Sequence, residues 1–185
     1  MGENRHWIII ASKDRVDHAV AGGFAQLNRG EAAPLERMRA GDGLVFYSPR
    51  TAYPDGEPLQ AFTAIGRIRT GTVYQATLAA NPRPFRTDVE YLLSQNTPIK
   101  PLIAQLSFIR SKAHWGAAFR HGVRCVPEWD FLQIAAAMGC SPESVAARDS
   151  HAVAAVSRTM SCRLRVTRVH GRRTGQTRCP LPIRC

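Results

Sequence analysis

The sequence predicts an α+β fold in which a small mixed β-sheet or barrel is flanked by short helices. Two apolar runs, residues 44–48 and 59–68, are separated by a loop rich in Pro, Asp and Gly, which is typical of two strands joined in a hairpin. Both runs are nearly continuous rather than alternating, so we expect both faces of this hairpin to be covered. The hairpin is therefore predicted to lie in the middle of the sheet and not at its edge.

The segment before the hairpin predicts one strand and two short helices. Residues 5–12 form an apolar run with β-branched and aromatic side chains, which favours a buried first strand. The next helix is predicted to begin at Asp14, to carry an apolar face, and to end at two consecutive glycines. Residues 24–30 are predicted to form a loop, and residues 34–39 a second short helix.

The segment after the hairpin predicts two more strands and a longer helix. Residues 85–91 alternate between apolar and charged side chains, which indicates a half-exposed strand. Residues 98–106 predict a short helix or turn, and residues 123–126 predict the last strand. Pro127 then begins a helix with an apolar stripe, which Gly139 closes.

The composition predicts one domain of ordinary size. The chain has 185 residues, of which 44% are hydrophobic, and this is enough for a packed core. No apolar run approaches the roughly 20 residues of a membrane span, and the first residues lack the pattern of a signal peptide. A soluble cytoplasmic protein without membrane partners is therefore expected.

The net charge of +11 is divided unevenly along the chain. Residues 1–150 hold 17 Lys and Arg against all 14 Asp and Glu, whereas residues 151–185 hold 8 Arg and no acid. We therefore predict a folded domain over residues 1–149 and a basic, disordered Arg-rich tail over residues 150–185. The tail has two interpretations: an arm that attracts phosphate backbones, or an unselected extension.

The cysteines and histidines do not form a recognisable catalytic or metal-binding pattern. An odd count of five cysteines without metal-ligand spacing argues against both a disulfide framework and a zinc site. Cys125 lies near His114 and His121 in sequence, but it is expected in an apolar strand, where a buried thiol is usually inert. Glycine-rich phosphate loops, zinc-deaminase signatures and paired carboxylates are also missing. The prediction is a protein without catalytic activity, cofactor or metal.

Several motifs in order along residues 5–139 resemble a bacterial EVE-domain protein of the UPF0310 family. They are WIIIAS, AGGFAQLNRGEAAPLERMRAGDGLVFYSP, LQAFTAIGRI, PFRTDVEY, PIKPLIAQLSFI, HWGAAFRHGV and EWDFLQIAAAM. The resemblance implies a PUA-like fold, a bent mixed sheet of five or six strands that closes into a small barrel. It also implies kinship with ASCH domains and with YTH domains, which hold a methylated adenine of RNA in an aromatic cage. EVE domains are thought to read modified bases in DNA or RNA, and the family lacks an established catalytic activity.

The resemblance extends to single positions of a binding pocket. Phe24 lies in a Gly-Phe-Ala-Gln segment where YTH domains have a Gly-x-Trp segment that supplies one wall of the cage. Trp115-Gly116 is similar to a Trp-Gly landmark of the EVE pattern, and Ser12, Tyr47 and Ser48 match pocket-facing strand ends. Val89 stands where a YTH strand supplies its second tryptophan, which indicates a different base or a looser pocket than a two-tryptophan cage.

A reader of bases needs aromatic faces for stacking, polar groups for the base edge and cations for phosphates. We expect these groups in one pocket between the end of the first helix, the first hairpin strand and the Trp115 segment. The candidate residues are Phe24, Tyr47 and Trp115 for stacking, Ser12, Gln26 and Ser48 for the edge, and Lys13, Arg86 and Arg120 for phosphates.

The sequence thus predicts a non-catalytic, nucleic-acid-binding module that recognises a modified base in DNA or RNA. Two other functions remain open at this point: an enzyme acting on a small nucleotide-like ligand in the same pocket, and a protein-interaction module in which the pocket is only a cavity. Core packing is the competing explanation for each aromatic residue, because aromatic side chains serve it far more often than they bind ligands.

Overall fold

The computed structural model describes residues 4–27, 30–77, 83–141 and Val145, so the predicted tail lies outside the described residues. Seven strands are assigned: β1 (His6–Ile10), β2 (Phe24–Gln26), β3 (Gly43–Arg50), β4 (Pro58–Gln75), β5 (Phe85–Tyr91), β6 (Thr97–Pro98) and β7 (Val123–Val126). Two α-helices, α1 (Lys13–Gly22) and α2 (Glu128–Ala137), accompany them, with 3-10 turns at Leu35–Arg37, Lys100–Leu102 and Trp115–Phe119. No helix in these ranges has the length and apolar character needed to span a membrane.

The strands form one mixed sheet with the predicted hairpin at its centre. The order is β2-β5-β4-β3-β1-β7, and β6 pairs with β4 beside this path. β1 runs parallel to β3, whereas the other pairs are antiparallel. The pairing of β4 with β5 shifts register between Ile68 and Val73. The α+β class is confirmed, but in the described part of the chain the sheet is an open path from β2 to β7 and not a closed barrel.

Hydrophobic clusters cover both faces of the sheet, as the continuous apolar runs predicted. Successive side chains of a strand point to opposite faces. Ile8, Val45 and Tyr47 therefore belong to one cluster, with α2. Trp7 and Phe46 belong to the other, with α1. Side chains of the predicted runs, residues 44–48 and 59–68, are therefore covered on both faces, whereas the end of β4 over residues 69–75 is largely exposed.

Two local predictions differ from the structure. Residues 24–26 are not a loop, because β2 pairs with β5 and places Phe24 opposite Asp88 and Gln26 opposite Arg86. A three-residue strand is too short to show an alternating pattern. The N-cap of the first helix is Ser12, two residues before the predicted cap Asp14, and the Ser12 side chain makes no capping hydrogen bond. Its predicted glycine end is confirmed, since Gly23 adopts a φ of 67° as the C-cap.

The pH dependence of stability is expected to reflect His6. Its ring lies 4.6 Å from the ring of Phe131, and burial lowers the pKa of His6, although Glu128 and Asp42 oppose this. The unfolded chain then binds this proton more readily than the folded chain, so the free energy of unfolding falls as the pH drops through about 6.5. Chemical denaturation at several pH values should show that the free energy of unfolding of His6→Gln falls less between neutral and acidic pH than that of the original chain. The same pH dependence in both proteins would contradict this role.

Candidate nucleic-acid interface

A cavity of about 280 Å³ opens between the end of β1, α1, β2 and β3. We call it the Phe24 pocket, and it is lined by Ala11, Asp14, Arg15, His18, Ala19, Phe24, Gln26, Leu27 and Phe46. Two of the predicted site residues, Phe24 and Gln26, line it together. The pocket combines aromatic faces, an amide, a carboxylate and a guanidinium, which are the groups that recognise a base and its flanking phosphate.

The ring of Phe24 is fixed by the end of α1. Gly22 leaves the space that the ring needs, because a Cβ at that position would lie only 2.3 Å from Phe24 Cε1. The hydroxyl of Tyr91 donates a hydrogen bond to the carbonyl oxygen of Phe24 at 2.8 Å. His18 contacts the ring edge-on, with the two centroids 5.5 Å apart. Phe24 is therefore held in one position, and only 5% of it is exposed.

Arg86 covers one face of this ring. Its guanidinium carbon lies 3.7 Å from the Phe24 centroid, a cation–π contact. Arg86 Nε donates a hydrogen bond to Gln26 Oε1 at 2.9 Å, across the β2–β5 pair. The structure thus brings together three of the predicted residues, Phe24, Gln26 and Arg86, in one stacked and hydrogen-bonded group.

Ser12 and Lys13 lie beside the Phe24 pocket but do not line it. Ser12 is buried between the lining residue Ala11 and the start of α1, and its Oγ has no hydrogen-bond partner among the described residues. Lys13 Nζ pairs with Asp17 one turn along the helix. This pairing engages the ammonium group that was predicted to hold a phosphate.

Tyr47 and Ser48 do not line the Phe24 pocket, contrary to the prediction, and both are buried within the described part of the chain. Tyr47 is 2% exposed and stacks on Phe119 with ring centroids 4.0 Å apart, and burial raises the pKa of its hydroxyl to about 12. Ser48 is fully buried, with its Oγ hydrogen-bonded to Thr63 Oγ1 at 2.7 Å. The reason is the central place of β3, where both faces are covered.

Trp115 lines a different cavity from Phe24. This cavity, the Trp115 cleft, has a volume of about 580 Å³ and shares no lining residue with the Phe24 pocket. Its walls are Phe108, Ile109, Arg110, Ser111, His114, Trp115, Ala117, Ala118, His121, Val123 and Arg124. The single pocket expected from the sequence is therefore wrong. Phe46 lines the Phe24 pocket, while its neighbour Tyr47 points to the opposite face, towards the Trp115 side.

Phe119 connects the Trp115 cleft to the core. Its ring contacts those of Tyr47, Phe108 and Trp115, with centroids 4.0, 5.8 and 6.2 Å away. Arg120, the third predicted phosphate contact, is exposed next to these residues but does not line the cleft. The aromatic residues of this segment thus form one continuous unit that extends from the sheet to the surface.

Sequence reasoning missed several residues of both cavities. Asp14 and His18 are four residues apart on α1 and so share a face, a spacing that predicts their joint position in the Phe24 pocket. Phe46 carried no separate signal, since an aromatic residue inside a strand is usually core. Cys125 is exposed rather than buried as expected, because β7 is the edge strand of the sheet.

Comparisons with known proteins agree with the resemblance seen in the sequence. A family model described as the EVE domain matches residues 5–137. A UPF0310 protein of Mycolicibacterium vanbaalenii is 47% identical over 133 residues, covering 72% of this chain and 92% of the relative. The UPF0310 protein YdcG of Bacillus subtilis is 41% identical over 141 residues, covering 76% of this chain and 97% of the relative.

Among solved structures, the YTH domain of Mmi1 in complex with RNA is similar, with a TM-score of 0.50 at 6% sequence identity. The similarity covers 74% of this chain and 79% of that chain, and it shows a shared fold. The predicted PUA-like class is thereby confirmed. With its family match over residues 5–137 and relatives above 40% identity, this chain belongs to the EVE-domain family.

Proposed function

We propose that this EVE domain is a non-catalytic module that binds nucleic acid and holds one modified base in the Phe24 pocket. The observation that carries the proposal is the group formed by Phe24, Gln26 and Arg86. It offers an aromatic face for stacking, an amide for the base edge and a guanidinium within reach of both. A strand that inserts one unstacked base needs these three functions at one place.

Arg86 covers one face of Phe24 without lining the Phe24 pocket, so a base that stacks on this face has to displace the guanidinium. The cation–π contact that is lost contributes about 0.5–1 kcal/mol at a partly exposed site. Stacking of a base on an aromatic side chain contributes about 1–3 kcal/mol. The exchange also breaks the hydrogen bond between Arg86 and Gln26, so the guanidinium becomes available for the phosphate of the same strand and the amide oxygen for the base edge.

The polar lining favours a base with an exocyclic amino group. Asp14, when ionised, only accepts hydrogen bonds, and the amide oxygen of Gln26 is a second acceptor once Arg86 has moved. Adenine and cytosine present an amino group as donor, whereas thymine and uracil do not. A methyl group on such a base would contact the apolar walls that Phe46 and Leu27 provide.

The fold comparison supports a nucleic-acid partner. The YTH domain of Mmi1 shares the fold and was solved with RNA. The described residues of the Phe24 pocket also include a cation, Arg15, next to its single carboxylate. These observations support nucleic acid as the partner.

Phe24→Leu is expected to weaken binding of the preferred oligonucleotide by about 5- to 150-fold, the loss that removal of one stacking partner causes. The measurement is fluorescence anisotropy with single-stranded DNA and RNA that carry adenine or cytosine, methylated or not. Phe24→Trp retains a ring and should preserve the base preference. Trp129→Leu removes an exposed aromatic residue of α2 outside both cavities and serves as the matched control.

The readout is the ratio of affinities between modified and unmodified strands. The basic tail contributes equally to both strands, so its attraction for phosphates cancels in this ratio. Equal affinity for all bases, unchanged in Phe24→Leu, would contradict the proposal. Recovery of a chemically altered base after incubation would instead indicate the enzyme that the sequence left open.

A further inference from the structure

The Trp115 cleft has a one-sided charge. Among the described residues, its lining includes the cations Arg110 and Arg124 and the imidazoles of His114 and His121, but no carboxylate. The wider segment is similar, since residues 91–127 contain five Lys and Arg and no Asp or Glu. A surface with this charge attracts anions, and the concave shape of the cleft increases the effect.

The floor of the cleft is aromatic and rigid. Trp115 and Phe108 are half-buried, so each shows part of its ring to the cavity. Both rings rest edge-on against Phe119, at interplanar angles of 72° and 80°. Below them, the buried Asp130 accepts hydrogen bonds from the backbone N–H groups of Ser107 and Phe108. The stacking surface is therefore fixed before any ligand arrives.

The basic side chains of the Trp115 cleft differ in their contacts within the protein. Arg124 is engaged, because its Nη1 donates to the carbonyl oxygen of Ala118 at 2.9 Å and its guanidinium lies 5.1 Å from the Phe108 ring centroid. Arg110 and His114 are exposed at the margin, where Ser111 Oγ lies 3.3 Å from His114 Nδ1. This arrangement places phosphate-binding groups along the rim of an aromatic floor.

We propose that the Trp115 cleft is a second binding site, which takes a nucleotide with its base on Trp115 and its phosphate on Arg110 and His114. The cavity volume of about 580 Å³ lies within the range of small-molecule sites. Aromatic floor and cationic rim together match a planar base joined to an anionic phosphate. The site lies apart from the Phe24 pocket, so it does not depend on that pocket binding a base.

The test follows the indole Nε1–H signal of Trp115 in the nitrogen-15-labelled full chain, identified by its loss in Trp115→Phe. The probes are adenosine 5′-monophosphate, inorganic phosphate and a short unmodified RNA, at physiological ionic strength. We expect the mononucleotide to shift the signal saturably. Arg110→Gln should weaken this binding about tenfold, because one charge-assisted hydrogen bond to phosphate is lost. Arg69→Gln makes the same charge change at an exposed position outside the cleft and should stay within about twofold.

The same titrations show whether the ligand is a free mononucleotide or a nucleotide within a strand. A shift with RNA but not with the mononucleotide identifies a nucleotide within a strand as the ligand, and supports the site. Inorganic phosphate acting as strongly as the mononucleotide would overturn it, since the base would then contribute nothing. No shift with any probe, or equal weakening in Arg110→Gln and Arg69→Gln, would also overturn it. Phe24→Leu should leave the Trp115 shift unchanged, so a failure of the Phe24 pocket and a failure of this cleft are distinguishable.

Discussion

Replacement of Asp130 by alanine is expected to lower the free energy of unfolding by about 3 kcal/mol or more. The side chain lies on α2 and is fully buried. Its two oxygens accept hydrogen bonds from Ser107 N, Ser107 Oγ and Phe108 N at 2.8, 2.8 and 2.9 Å. Alanine leaves all three donors without this partner, and each buried donor that stays unsatisfied costs about 1–3 kcal/mol.

The same substitution is expected to disturb the Trp115 cleft. Asp130 holds the turn that carries Phe108 onto the cleft floor, so its loss frees that ring from its position. Urea denaturation measures the stability, and the Trp115 titration measures the cleft in the fraction that stays folded. Asp130→Asn keeps one acceptor oxygen and should cost less. Asp55→Ala removes an exposed carboxylate and should stay within about 0.5 kcal/mol. Equal effects of Asp130→Ala and Asp55→Ala would contradict the structural role.

Asp42→Ala is expected to lower the free energy of unfolding about as much as Asp130→Ala. Asp42 is 2% exposed and accepts three hydrogen bonds. Its Oδ1 binds Arg5 N at 3.0 Å, and its Oδ2 binds Trp7 Nε1 at 2.8 Å and Arg39 N at 3.1 Å. The carboxylate thus ties β1 to the turn before β3, and we expect a loss of about 3 kcal/mol when it is removed.

A graded series tests this account of Asp42. Asp42→Asn can keep its oxygen on the two donors that Oδ2 serves and lose only the bond to Arg5 N, so its loss of stability should be smaller than that of alanine. Trp7→Phe removes one donor, and its cost should overlap with that of Asp42→Ala in a double-mutant cycle. Additive costs of the two substitutions would show that the indole–carboxylate bond contributes nothing.

The sequence determined those parts of the fold in which one segment carries its own signal. The continuous apolar runs at residues 44–48 and 59–68 predicted a hairpin covered on both faces, and β3 and β4 are central. Alternation over residues 85–91 predicted β5, and the glycines after each helix predicted both helix ends. Such patterns depend on residues close together in the chain, so they can be recognised in the sequence without knowledge of the tertiary structure. Phe24, Gln26 and Arg86 were also predicted as binding residues, and they lie together.

Only the tertiary structure decided which side chains share a cavity. Phe46 and Tyr47 are neighbours in the sequence, yet they belong to opposite faces of the sheet and to different clusters. Trp115 lies on the same face of the sheet as Tyr47, and Phe24 lies with Phe46 on the other face. The residues expected in one pocket are therefore distributed over two separate cavities. The hydrogen-bond donors to Asp42 and Asp130 are mostly backbone N–H groups or residues far away in the sequence, so no sequence pattern predicted these contacts. The physical reason is the two-residue period of a strand: a shift of one residue exchanges the two faces, and only the packed sheet shows what lies on each.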